Sequence, residues 1–161
     1  MGSASIRVLV VDDYEPWHGF IANLLKKQSE MEIVGCVCDG LAAVEQAEQL
    51  QPDLILLDIG LPTLNGMEAA TRIRQLSPNS KILFVSENHS VDIAEKALST
   101  GAGGYVVKSD GVSELLAGIQ AVLKGKRFVS ASMGAHFLAT ATLSAAQMSF
   151  SWLIMLISGV R

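Results

Sequence analysis

The feature that most constrains this chain is a fivefold alternation. Short apolar runs take turns with stretches of helical periodicity, and most of the apolar runs stop at a polar residue. Ile6–Val11 stops at Asp12-Asp13, and residues 53–58 carry Leu54-Ile55-Leu56-Leu57 and stop at Asp58. Residues 81–85 stop at Ser86, and Gly104–Val107 stops at Lys108. Met31–Val37 completes the set. Runs with no inward–outward alternation suit strands covered on both faces, as in a parallel sheet. Between them, residues 15–27 place Trp17, Phe20, Ile21, Leu24 and Leu25 on one helical face. Further helices are expected over 41–50 (Pro52 follows), 65–76, Val91–Ser99 (Gly101 follows) and Val112–Leu123 (Gly125 follows). Five β-α units with short connections predict an α/β fold: a doubly wound parallel sheet with helices on both faces.

Half of the residues are hydrophobic, enough for a well-buried core, and the net charge of −4 argues against a broad nucleic-acid-binding surface. Cys36 and Cys38 lie two apart in an apolar run and read as reduced, buried thiols rather than metal ligands, since no histidine is near. No disulfide framework and no signal-peptide pattern are evident, so a cytoplasmic location is expected. His18, His89 and His136 are scattered and read as non-catalytic.

The polar residues at the strand ends carry the chemistry. In an open α/β sheet, ligands bind beyond the carboxyl ends of the strands, so Asp12, Asp13, Asp58, Ser86 and Lys108 converge on one cleft. Clustered carboxylates repel one another unless a cation joins them, and a hard divalent cation such as Mg²⁺ suits an all-oxygen site. A carboxylate oxygen of Asp58 can attack a phosphoryl group and form an aspartyl phosphate. The Lys108 ammonium and the Ser86 hydroxyl can then meet the phosphoryl oxygens. Each residue also has a plain structural reading: Asp12-Asp13 and Ser86 as helix caps, Asp58 as a turn starter, Lys108 as a solvated cation. A phosphohydrolase with an aspartyl nucleophile usually carries a second acid two positions on, and that position is Gly60.

The motifs Val11-Asp12-Asp13, Leu57-Asp58-Ile59-Gly60-Leu61-Pro62, Asn65-Gly66, Val85-Ser86 and Val107-Lys108 resemble, in order and spacing, those of response-regulator receiver domains of two-component signalling. The resemblance spans about residues 6 to 125. It implies a flavodoxin-like, five-stranded sheet of order 2-1-3-4-5. It further implies Asp58 as phosphoacceptor, with Asp12, Asp13, Asp58 and the backbone carbonyl of Gly60 holding Mg²⁺. Tyr105, three before Lys108, matches the family's aromatic switch position, beside Ser86. Gly66-Met67-Glu68-Ala69, residues 103–108 and residues 125–130 look closest to the receivers of LuxR-type (NarL/FixJ-like) regulators. The implied partners are a sensor histidine kinase or a small phosphodonor, and a second copy of the chain. A proline is common after the lysine elsewhere in the family. Ser109 stands there instead, where a cis peptide is costlier by about 2 kcal/mol.

The expected organisation is a receiver over 5–129 and an apolar tail over 130–161. Residues 131–160 contain no Asp, Glu, Lys or Arg, so no phosphate-contacting surface and no DNA-binding domain are expected there. Phe137, Leu138, Ala141, Ala145, Met148, Trp152 and Met155 recur at helical spacing. Three readings stand. The tail is a helix packed on its own receiver or on a partner copy, a segment entering a membrane, or the remnant of a lost output domain.

Overall fold

The computed structural model describes residues 4–134 and residue 137. Among the described residues, strands and helices alternate: β1 (Ile6–Val11), α1 (Glu15–Lys26), β2 (Met31–Val37), α2 (Gly40–Leu50), β3 (Leu54–Leu57), α3 (Gly66–Leu76), β4 (Lys81–Ser86), α4 (Val91–Ser99), β5 (Gly104–Val107), α5 (Val112–Leu123) and β6 (Phe128–Val129). The sheet is parallel throughout, in the order β2-β1-β3-β4-β5-β6.

The apolar runs explain the layering. Alternate residues of each strand point to opposite faces. Leu9, Val11, Ile55, Leu57, Phe84, Tyr105 and Val107 face α2, α3 and α4, where Ala43, Ala47, Ala69, Ala70, Ile73, Ala94 and Ala97 meet them. Val8, Val10, Leu54, Leu56, Leu83, Val85 and Val106 face α1 and α5, where Ile21, Leu25, Leu115, Ile119 and Val122 meet them. The α1 stripe is only partly covered. Ile21 and Leu25 are buried, whereas Phe20 is 41% exposed and stacks on Trp17 at the rim, ring centroids 5.0 Å apart.

Two expectations need correction. The sheet has six strands, not five. Gly125, at φ 76°, turns the chain out of α5, and Phe128-Val129 pairs in parallel with Gly104-Tyr105. Cys36 and Cys38 are exposed rather than buried. β2 is an outer strand whose ladder partner is β1, and none of its residues is fully buried. Desolvation, then neighbouring Cys38, holds the Cys36 thiol above its ordinary pKa.

The core also continues past β6. Ser130 is buried and its Oγ accepts from the backbone N–H of Val107 at 2.8 Å. Met133 is buried in the α2–α4 core, and Phe137 packs against it. Of the tail residues with helical spacing, all but Phe137 lie outside the described residues. Among the described residues no helix is long and apolar enough to cross a membrane.

Candidate functional site

Asp12 and Asp13 leave the end of β1. Asp12 is fixed from several sides. Its N–H donates to the Val37 carbonyl at 3.1 Å, its Oδ1 accepts from the Tyr14 N–H at 2.9 Å, and His18 Nε2 donates to its carbonyl at 2.7 Å. Asp58 leaves the end of neighbouring β3, its N–H donating to the Val11 carbonyl at 3.0 Å. Its Oδ1 accepts from the Ile59 N–H at 2.7 Å.

The turn after Asp58 is held from α3. Gly66 N–H donates to the Ile59 carbonyl at 2.8 Å, and Asn65 Oδ1 caps the helix by accepting from Met67 N–H and Glu68 N–H. A Cβ at position 66 would overlap the Asp58 carbonyl, so glycine is what lets α3 approach the acceptor strand.

Ser86 ends β4, buried, with its Oγ accepting from Asn88 N–H at 3.2 Å. Lys108 follows β5 and opens a short 3₁₀ turn, with its peptide bonds trans. Its Nζ lies 2.6 Å from Asp12 Oδ2 and 3.6 Å from Asp58 Oδ2. Tyr105 is fully buried, and its hydroxyl donates to the Asn88 carbonyl at 2.8 Å.

These residues form one open cleft of about 490 Å³, lined by Asp12, Asp13, Tyr14, Asp58, Ile59, Gly60, Ser86, Glu87, Asn88 and Lys108. Asp12, Asp13 and Asp58 each offer a carboxylate oxygen, all within 4.8 Å of one another. The environment acts on Asp58 unevenly. Desolvation raises its pKa first, the Lys108 ammonium lowers it, the charges of Asp12 and Asp13 raise it, and the Ile59 N–H lowers it. Burial likewise raises the Tyr105 hydroxyl, against a hydrogen bond with Ser86 and with the Asp58 charge adding to the rise.

Residues 8–120 match the response regulator receiver domain family. This chain belongs to that family. The response regulator GacA of Pseudomonas viridiflava is 31% identical over 125 residues, covering 78% of this chain and 58% of that protein. The transcriptional regulatory protein DegU of Brevibacillus brevis is 32% identical over 124 residues, covering 77% of this chain and 52% of that protein. The chain therefore spans little more than half the length of these relatives. Among solved structures, a LuxR-family two-component response regulator from Aurantimonas sp. SI85-9A1 superposes with a TM-score of 0.77 at 29% identity, over 87% of this chain and 99% of that one. The response regulator domain of Thermotoga maritima CheB gives 0.68 at 34% identity, over 74% of this chain and 97% of that one.

The flavodoxin-like fold and the receiver identity expected from the motifs both stand. Receivers bind Mg²⁺ at an acidic cluster, and this receiver carries one in Asp12, Asp13 and Asp58. Three carboxylate oxygens in an open cleft are hard donors that leave room for water, which fits a Mg²⁺ ion. All seven residues singled out from sequence are accounted for. Six line the cleft, and Tyr105 stands behind it, joined to the cleft residue Asn88. Two further neighbours from α1 carry no signal in the sequence that would mark them. His18 holds the Asp12 carbonyl, and the Trp17 ring lies under Lys108, its centroid 4.7 Å from Nζ. His89 is exposed, and His136 lies outside the described residues.

Proposed function

We propose that this receiver is a phosphorylation switch in a two-component system, with Asp58 as its phosphoacceptor. The observation that carries the reading is the placement of Lys108, whose ammonium bridges Asp12 and Asp58 at the floor of the cleft. One carboxylate oxygen of Asp58 attacks the phosphorus of a phosphodonor, an O–P bond forms, and the donor's leaving group departs with the electrons of the broken bond. Asp12, Asp13, Asp58 and the carbonyl of Gly60 would hold Mg²⁺, which when bound would supply positive charge for the phosphoryl oxygens. Lys108 follows the new negative charge away from Asp12, and the Ser86 hydroxyl turns to donate to a phosphoryl oxygen. Ser86 is tied to Asn88, and Asn88 to the Tyr105 hydroxyl, so movement of Ser86 is felt at Tyr105 and along α4.

Receivers are phosphorylated by histidine kinases, and the donor here is a sensor kinase or a small phosphodonor in the cytoplasm. The only turnover required is gain and loss of the phosphoryl group on Asp58. Output is a changed contact, either with a partner or with a second copy of the chain. Light scattering on a sizing column tests this, with Mg²⁺ present and with and without beryllofluoride. A monomer that becomes a dimer on adding the phosphoryl mimic supports switched assembly. An unchanged species whose amide spectrum is also unchanged around Ser86, Asn88 and Tyr105 would refute the switch.

A further inference from the structure

Lys108 has a third neighbour besides the two carboxylates. The face of the Trp17 indole lies 4.7 Å from its ammonium. The ring is not loosely placed. Trp17 sits in the first turn of α1, its backbone N–H donating to the Tyr14 carbonyl at 3.0 Å, and its ring is propped by Phe20. Beside the ring and Lys108, both of which line it, is a small cavity of about 70 Å³ that Phe20, Val85, Val106 and Leu115 also border. The lysine therefore runs between an apolar wall and an aromatic face before it reaches the carboxylates.

We infer that Trp17 is a positioning residue, holding the Lys108 ammonium at the cleft by a cation–π contact while its carboxylate partners change. The inference rests on the proposed role of Lys108 toward the phosphoryl group. Asp12 is the nearest partner of Lys108, at 2.6 Å, and is also a member of the acidic cluster. Once that carboxylate is shared with a divalent cation, the ammonium is repelled and loses much of its attraction. Full hydration in solvent then competes for a long, flexible side chain. An indole face attracts the ammonium through its quadrupole, yet offers no lone pair that would draw a hard cation away from the carboxylates. The neighbouring cavity leaves the lysine stem room to pivot without losing the ring.

The test separates the ring's electronics from its shape. In a Trp152→Phe background, Trp17 becomes the single tryptophan and can be replaced biosynthetically by fluorinated tryptophans. Successive fluorination weakens the quadrupole while nearly preserving the outline. The rate of phosphoryl gain from acetyl phosphate with Mg²⁺ should fall progressively across the series. Trp17→Leu should be about 3- to 10-fold slower, and Trp17→Phe should recover most of the rate. Trp17 emission should shift on adding Mg²⁺ and beryllofluoride, and the shift should be lost in Lys108→Met. A flat rate across the fluorinated series, or an emission shift that survives in Lys108→Met, overturns the inference. If Lys108→Met itself labels at the unsubstituted rate, it is the underlying role of Lys108 that fails, whatever the tryptophan series shows.

Discussion

Removing the cation at the cleft floor should destabilise this receiver in a manner that depends on pH and on Mg²⁺. Lys108→Met keeps the stem and deletes the charge. The ammonium lies 2.6 Å from Asp12 and 3.6 Å from Asp58, with side-chain exposures of 9%, 1% and 13% for lysine and the two carboxylates. At an effective dielectric of about 20, these separations correspond to gross attractions of about 6 and 5 kcal/mol. Desolvation of the ammonium cancels much of that, and breaking a buried pair typically costs about 3–5 kcal/mol through the charge left behind. There is also a ceiling. A stranded carboxylate can take up a proton, which at pH 7 costs about 4 kcal/mol for a group of ordinary pKa. The expected loss is therefore about 3–4 kcal/mol at pH 7 in chelator, read by urea unfolding. It should shrink toward zero near pH 4, where protonation is nearly free. Saturating Mg²⁺ should restore most of it, since the metal takes over the neutralising role. A loss below about 1 kcal/mol at pH 7, or an equal loss at pH 4 and pH 7, would refute the electrostatic account of Lys108.

Asp58→Asn should stabilise the fold in chelator. Burial, with Asp12 and Asp13 adding, raises the Asp58 pKa despite Lys108, so native stability falls as pH rises from the ordinary carboxylate range through the raised folded value. The variant should be the more stable of the two at pH 7, and its advantage should vanish below about pH 4, as read by melts across pH. Gly66→Ala should force α3 away from the Asp58 carbonyl, costing about 2–4 kcal/mol and slowing phosphoryl gain; unchanged stability would show that α3 can shift freely. Ser130→Ala leaves the buried Val107 N–H without its acceptor, a cost of about 1–3 kcal/mol measurable by denaturation, with faster amide exchange at Val107.

The sheet was legible because burial on both faces removes polar alternation, and the resulting runs at β1, β3, β4 and β5 leave little else they can be. The site was legible for the same reason. Asp12, Asp58 and Lys108 interrupt those runs at positions a buried strand cannot tolerate, and the sheet's topology brings them together. The Lys108–Asp12 pair spans 96 positions of sequence, yet follows from strand order alone. What escaped was set by edges and by long-range packing. Two residues are too few for periodicity to announce β6. Cys36 looked buried because its neighbours are apolar, but an outer strand has a single ladder partner. Ser130 and Met133 carry no local pattern. They belong to the core because the chain after β6 continues alongside β5, where the hydroxyl of Ser130 meets Val107. Trp17 read simply as part of an apolar stripe, and its position under Lys108 depends on how α1 sits against β5.

The central claim is that Asp58 accepts the phosphoryl group. Intact mass spectrometry after incubation with acetyl phosphate and Mg²⁺ tests it directly, followed by hydroxylamine, which cleaves acyl phosphates. The unsubstituted chain should gain one phosphoryl mass, lose it to hydroxylamine, and gain none in chelator, while Asp58→Asn should gain none under any condition. Equal labelling of the two chains, or a label that resists hydroxylamine, would contradict the assignment.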